Sequence, residues 1–151
     1  MNRRTLLLAT AALALPRAGR AESFEITLTD AEWRARLSPD QYYVLREEGT
    51  ERAGSHPYDK EYGAGTYHCA GCDLPVFSSQ TKYDSGTGWP SFWEPLPDAV
   101  GTRVDGGLFG PRTEVHCRRC GGHFGHVFDD GPAPTGLRYC MNGAALLFRP
   151  A

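Results

Sequence analysis

The stretch Thr113-Glu-Val-His-Cys-Arg-Arg-Cys-Gly-Gly-His-Phe-Gly-His-Val-Phe128 decides the fold class. It opens on a β-prone piece, Thr113–Cys117, and turns through Cys117-Arg-Arg-Cys120 and Gly121-Gly122. It then resumes as a second β-prone piece, Gly125–Phe128. A Cys-x-x-Cys turn sets two sulfurs on one side of a tight loop, and glycines there tolerate positive φ. The same device stands upstream as Cys69-Ala-Gly-Cys72, 44 residues before the second pair, between β-prone pieces Gly65–His68 and Leu74–Phe77. Outward from these, Ser91–Glu94, Thr102–Val104, Leu137–Met141 and Ala145–Phe148 alternate with Gly/Pro/Asp turns. That spacing predicts a mainly β chain, an antiparallel sandwich or rolled sheet inserted between two knuckles.

Two short helices precede the sheet. Thr29-x-x-Glu32 has the form of a capping box, with Trp33 and Leu37 four apart, which predicts a helix over about 30–37. Ser38-Pro39-Asp40-Gln41 repeats the start signal, and the second helix runs through Tyr42, Leu45 and Arg46 to stop near Gly49. Composition agrees with one folded domain over 22–151. The 151 residues include 3 Trp, 7 Tyr and 7 Phe, too many for a solvated coil, and 18 Gly with 11 Pro favour turns.

Residues 1–21 read as an address. Arg3-Arg4, an apolar stretch Leu6–Leu15 and a small-residue end at Ala21 match a bacterial export signal of the twin-arginine kind. An ordinary secretory signal and an uncleaved amphipathic helix are the alternatives. The apolar stretch is too short to span a bilayer, so no membrane association is expected after its removal. Removal takes four arginines and no acid, leaving a net charge of -6 in place of -2. That sign argues against a nucleic-acid partner. A periplasmic or otherwise exported protein is expected.

The two Cys-x-x-Cys pairs admit three readings. Cys69, Cys72, Cys117 and Cys120 can close a tetrahedral four-thiolate cage around one structural Zn2+, leaving no open position for chemistry. In an oxidising compartment they can instead be disulfides. A redox-active pair is the third reading, without the strand-to-helix setting such motifs use. His68 and His116, each beside a pair, are read as structural.

The fifth cysteine needs its own explanation. In Gly136-Leu-Arg-Tyr-Cys-Met-Asn142 a strand puts Arg138, Cys140 and Asn142 on one face and Leu137, Tyr139 and Met141 on the other. A guanidinium beside the sulfur favours the thiolate, as a nucleophile requires, and Asn142 can donate to an oxygen of a reacting partner. An inert buried thiol is the alternative. Gly122-His-Phe-Gly-His-Val-Phe-Asp-Asp130 adds His123, His126 and two carboxylates suited to proton delivery near neutrality, with Phe128 on the His126 face. In Lys82–Trp93, Trp89 between Gly88 and Pro90 is either an aromatic wall or an ordinary core residue.

Taken together, KYDSGTGWPSFW, GHVFDDGP, RYCMNGAALLF and the two Cys-x-x-Cys pairs resemble methionine sulfoxide reductase B over about residues 28–150. The resemblance implies two antiparallel sheets with short N-terminal helices, a zinc staple, and reduction of the R epimer of protein-bound methionine sulfoxide. It implies Cys140 as nucleophile, oxidised to a sulfenic acid, with Trp89 and Phe128 against the substrate. By the same carry-over His123, His126 and Asn142 surround the sulfoxide oxygen, and Asp130 and Arg138 tune the site. Many members carry a resolving cysteine where Thr87 stands. Its absence implies a one-cysteine cycle, with the sulfenic acid reduced by a thioredoxin-like or other external thiol or, as the alternative, by a zinc-site cysteine. A monomer that repairs oxidised exported proteins is expected. A binding module that keeps the sheet without catalysis is the rival reading.

Overall fold

The computed structural model describes residues 22–151; the expected export signal over 1–21 lies outside them. Helices α1 (Asp30–Arg36) and α2 (Pro39–Glu47) start where the capping boxes predict. Thr29 and Ser38 each accept from the third residue on, and Glu32 and Gln41 return the bond to the cap backbone. Helices this short are marginal alone. Burial of Trp33, Leu37, Tyr42, Val44 and Leu45 against the sheet holds them.

Nine strands follow: β1 (Gly65–Cys69), β2 (Pro75–Ser78), β3 (Lys82–Tyr83), β4 (Ser91–Phe92), β5 (Val100–Asp105), β6 (Arg112–Cys117), β7 (His123–Phe128), β8 (Arg138–Met141) and β9 (Leu146–Pro150). They form a three-stranded sheet, β2-β1-β9, and a six-stranded sheet, β3-β4-β8-β7-β6-β5, antiparallel throughout. The predicted mainly β fold of two antiparallel sheets with short N-terminal helices is observed. Aromatic side chains join the sheets: Phe77 stacks on Phe92 with centroids 4.4 Å apart, and Tyr67 meets Phe92 edge-on at 5.1 Å. Each such ring, fully buried, contributes about 1.5–3 kcal/mol.

The alternation predicted for β8 holds, since Met141 is buried in the core while Arg138, Cys140 and Asn142 line a pocket on the other face. The knuckle glycines act less uniformly than expected. Gly121 takes positive φ (71°), but Gly71 and Gly122 do not. Gly122 is required for space instead, because a Cβ there would meet Leu45 of α2 at 2.8 Å.

Candidate active site

The two Cys-x-x-Cys turns meet at the junction of the two sheets, one after β1 and one after β6. Their four sulfurs lie within 4.8 Å of one another. Cys69 and Cys120 Sγ are 3.7 Å apart, and Cys72 and Cys117 Sγ 3.5 Å. Tetrahedral thiolates at about 2.3 Å from a zinc ion would be about 3.8 Å apart, whereas disulfide sulfurs sit at about 2.05 Å. The set therefore fits a structural metal and not a pair of disulfides.

Cys140 occupies a different setting, the middle of the six-stranded sheet. Its neighbours in register are Ser91 on β4 and His126 on β7, and the row continues from His126 to Glu114 on β6 and Arg103 on β5. Gly125 makes the β7–β8 approach possible, since a Cβ there would lie 2.1 Å from the Cys140 carbonyl oxygen. Above this row is a cavity of about 330 Å³ lined by Cys140, Trp89, His126, Phe128, Arg138 and Asn142, together with Thr50, Thr87 and Arg112. Two aromatic walls, one thiol and several polar groups thus share one small site.

Burial, the largest influence, pushes the Cys140 thiol up; the Arg138 charge and hydrogen bonds from Thr87 and Arg138 offset only part of it. The sequence expectation of a thiolate stabilised below its ordinary value is corrected here. Arg138 acts in the anticipated direction, but desolvation of the charged form is larger. Asp130 does not line the cavity. It grips Arg138 through two bonds, 2.8 Å to Nε and 3.0 Å to Nη2, and Arg138 stacks over Phe128 at 4.4 Å.

The two histidines differ. His126 lines the cavity, with Nε2 2.9 Å from Asp105 Oδ2, and Arg112 holds the same oxygen at 3.0 Å. Burial pushes the His126 imidazole down, partly opposed by the Asp105 bond, which favours the neutral ring. His123 is fully buried behind it, ring centroids 5.4 Å apart, and is absent from the cavity lining. Its Nδ1 bonds Glu114 Oε1 at 2.8 Å. His123 thus stands one ring back from the cavity, packed against His126, with its Nε2 buried and without a hydrogen-bond partner among the described residues. Residues three apart face opposite ways on a regular strand; a bulge, where the β6–β7 register shifts between Val115 and His116, turns both rings to one side.

Asn142 lines the cavity but is heavily committed. Its Nδ2 donates to the Phe124 carbonyl at 2.9 Å, and its Oδ1 accepts from Glu51 N at 2.9 Å. One amide hydrogen remains for a ligand.

Sequence reasoning missed several supporting residues. Glu51 accepts from Gly143 N and Ala144 N through its carboxylate, and its own carbonyl accepts from Trp89 Nε1 at 3.1 Å. One residue thereby fixes the aromatic wall, Asn142 and the turn after β8. Glu114, 3% exposed at its side chain, meets His116, His123 and Arg103. Burial alone would raise its pKa, but hydrogen bonds from both histidines and the Arg103 charge hold it well below the usual carboxylate range. An acid alternating with Val115 on a strand, with Arg103 on a neighbouring piece, was the available signal. His116 and His68 are structural as expected, His116 on Glu114 and Glu22 and His68 beside Asp73.

Comparison with known proteins points to one family. A SelR domain model matches residues 37–150. The chain is 58% identical over 123 residues to the peptide methionine sulfoxide reductase MsrB of Thiobacillus denitrificans, covering 81% of this chain and 93% of that protein. It is 52% identical over 127 residues to the MsrB of Agrobacterium fabrum, covering 83% and 94%. Against the chloroplastic peptide methionine sulfoxide reductase B1 of Oryza sativa it is 54% identical over 125 residues, 82% of this chain but 58% of that longer protein.

Proposed function

The chain belongs to the SelR-domain family of MsrB-type peptide methionine sulfoxide reductases, and from that premise we propose that it reduces the R epimer of methionine sulfoxide in polypeptides, with Cys140 as nucleophile. The observation that carries this reading is that Cys140 shares one small cavity with Trp89, Phe128, His126, Arg138 and Asn142. The aromatic walls suit the methyl and methylene groups of the side chain. The polar groups suit an S=O oxygen, which the product thioether lacks.

The resting thiol keeps its proton, and the balance uses it. Nε2 of neutral His126 donates to Asp105, which leaves Nδ1 as a base facing away from that carboxylate. His126 takes the thiol proton as the Cys140 sulfur attacks the sulfoxide sulfur, then gives it to the oxygen. As the sulfoxide S–O bond breaks, the oxygen passes to Cys140 as a sulfenic acid and methionine leaves as the thioether. Sulfoxide sulfur is reduced by two electrons and Cys140 is oxidised by two.

Resolution is a one-cysteine cycle. The other four cysteines belong to the metal cluster, and Thr87, where many members carry the resolving cysteine, lines the cavity together with Cys140. Two external thiols, from a thioredoxin-like protein or another reductant, convert the sulfenic acid to thiol and water and leave as a disulfide. Cys69, Cys72, Cys117 and Cys120 would hold one Zn2+, which would supply a cross-link between the sheets and no step of the reaction. Arg3-Arg4 and the apolar Leu6–Leu15 support export and a role in repairing oxidised exported proteins; fusion of residues 1–21 to a reporter, with and without both arginines, tests that.

The deciding experiment is incubation of a peptide carrying racemic methionine sulfoxide with the protein lacking residues 1–21 and excess dithiol. Consumption of the R epimer alone, lost in Cys140→Ser, is the expected result. After one turnover without reductant, mass spectrometry should find a sulfenic acid on Cys140, and Thr87→Cys should convert it to a disulfide. Consumption of both epimers, or of neither, would reject the assignment.

A further inference from the structure

Strand order decides what stands on each side of the Cys140 sulfur. β8 lies between β7 and β4, and residues directly opposite in antiparallel strands share a face. One row on the cavity face therefore runs Tyr83, Ser91, Cys140, His126, Glu114 from β3 to β6. An imidazole flanks the sulfur on one side and a hydroxyl on the other, each one strand spacing of about 4.8 Å away. Asn142, the other group suited to the sulfoxide oxygen, is tied to the imidazole flank. Its Nδ2 donates to the carbonyl of Phe124 on β7 at 2.9 Å.

The opposite flank holds a second cavity, of about 400 Å³. Thr87 and Arg138 line both cavities and form the partition between them, whereas Tyr83, Ser85, Asp130 and Pro132 line only the second. The partition is braced. Ser85 Oγ lies 2.8 Å from Thr87 Oγ1 and 2.7 Å from Ser91 Oγ, and Ser91 donates to the Trp89 carbonyl at 3.0 Å. Arg138, the one cation of the second lining, is held by Asp130 at 2.8 and 3.0 Å. Asp84, also in that lining, accepts from Gly86 N at 3.0 Å and Lys60 Nζ at 3.4 Å.

We propose that the second cavity is the entry site for the reducing thiol, which reaches the oxidised Cys140 sulfur from the β4 flank while the sulfoxide oxygen is handled on the β7 flank. This rests on the reductase reading above and deepens it by naming where the reductant engages. A sulfenic acid formed with its oxygen toward His126 and Asn142 presents its sulfur to the β4 side. A thiolate displaces that oxygen in line, entering opposite the S–O bond, and Arg138 favours the thiolate form of an arriving thiol. The S–S bond to Cys140 forms as the S–O bond breaks, and the thiol proton leaves with the oxygen as water. A second thiol then displaces the Cys140 sulfur, which takes up its proton. The reductant departs as a disulfide, oxidised by two electrons. Entry away from the methionine site also means that reduction does not wait for the product to leave.

The test separates the two half-reactions. A methionine-R-sulfoxide peptide without reductant gives the rate of Cys140 oxidation. Mixing the oxidised protein with thiol gives the rate of its reduction, read by mass spectrometry after quenching. Pro132→Trp fills the second cavity, and the bond from Gly136 N to the Pro132 carbonyl, 2.8 Å, is between main-chain atoms and survives the change. Reduction by dithiothreitol and by a reduced thioredoxin should each slow at least about tenfold, with oxidation within about twofold of the wild type. N-acetylmethionine, at a concentration that blocks oxidation by filling the first cavity, should leave reduction of the wild type unchanged. A Pro132→Trp protein reduced at the wild-type rate, or reduction blocked by N-acetylmethionine, would overturn the entry site and leave the reductase assignment standing. Slowing with thioredoxin alone would also overturn it, because the cavity would then contact a protein surface without being the path of the sulfur. If Pro132→Trp slows oxidation as well, the N-acetylmethionine arm decides. Absence of Cys140 oxidation in the wild type would instead sink the reductase reading and the entry site with it.

Discussion

Two sulfur environments in this chain start from the same side chain and diverge. At the knuckles, four sulfurs from two distant turns crowd within 4.8 Å and have each other as neighbours. In the middle of the large sheet, one sulfur has none of its kind and faces aromatic rings, an imidazole and a guanidinium. A cysteine's chemistry is thus set by what the fold brings within a few ångströms. A closed set of thiolates suits a metal and holds structure, whereas a lone sulfur beside a cavity suits a reaction.

Exchanging the roles by mutation should separate them most sharply. Cys140→Ser is expected to lower reductase activity by at least about 10³-fold, with the melting temperature and zinc content unchanged. Equal loss of stability would mean that the two environments are not independent. Cys72→Ser, or a strong chelator, should do the reverse. Zinc is lost and the melting temperature falls by at least about 10 °C, since structural zinc contributes folding free energy directly. A metal-free protein that melts at the wild-type temperature would remove the staple from the account.

Smaller effects sharpen the catalytic side. Glu114→Gln leaves Arg103 and two histidines without their carboxylate, and about 3 kcal/mol of stability should go with it in chemical denaturation. The pH dependence follows from the sign of the shift. The folded pKa of Glu114 lies below its ordinary 4.5, so its contribution is complete above that value. It drains away as pH falls from there toward the depressed folded value. A variant whose acid limb matches the wild type would contradict this.

The smallest effects concern the ionisation of Cys140. Burial holds its pKa above the ordinary 9.0, so alkylation by iodoacetamide should rise steadily from pH 7 to beyond 9. Arg138→Gln should slow alkylation at pH 8 by roughly 3- to 10-fold, the equivalent of up to about one pKa unit. Asp130→Asn should speed it slightly, because the Asp130 charge opposes the thiolate. Shifts of the same sign in both variants would show that packing, not charge, governs the thiol.

Much of this is legible in the sequence. The helix starts were written in Thr29–Glu32 and Ser38–Gln41, and the pocket face of β8 in the alternation of Arg138, Cys140 and Asn142. Eight strands are placed to within a few residues, whereas the two-residue β3 (Lys82–Tyr83) has no strand signal in the sequence. Less legible were the Asp105–Arg112 pair that holds His126, the position of His123 one ring back from the cavity, and the raised pKa of Cys140. The bulge on β7, the depth of the cavity and the row Arg103–Glu114–His126–Cys140 decide these, and none has a local signature.

What the sequence determined alone is therefore short-range. Caps, alternation and the Cys-x-x-Cys turns depend on residues within about one helical turn or strand of each other, where covalent geometry limits the choices. What tertiary structure decided is how far each group is removed from water and which partners reach it from afar. Glu51 meets Asn142 across 91 positions and Trp89 across 38. The net desolvation of Cys140 sums contributions from β4, β7 and β8 together. Electrostatic balance of that kind is a property of the packed assembly, because burial and neighbouring charge oppose each other and each depends on the surrounding elements.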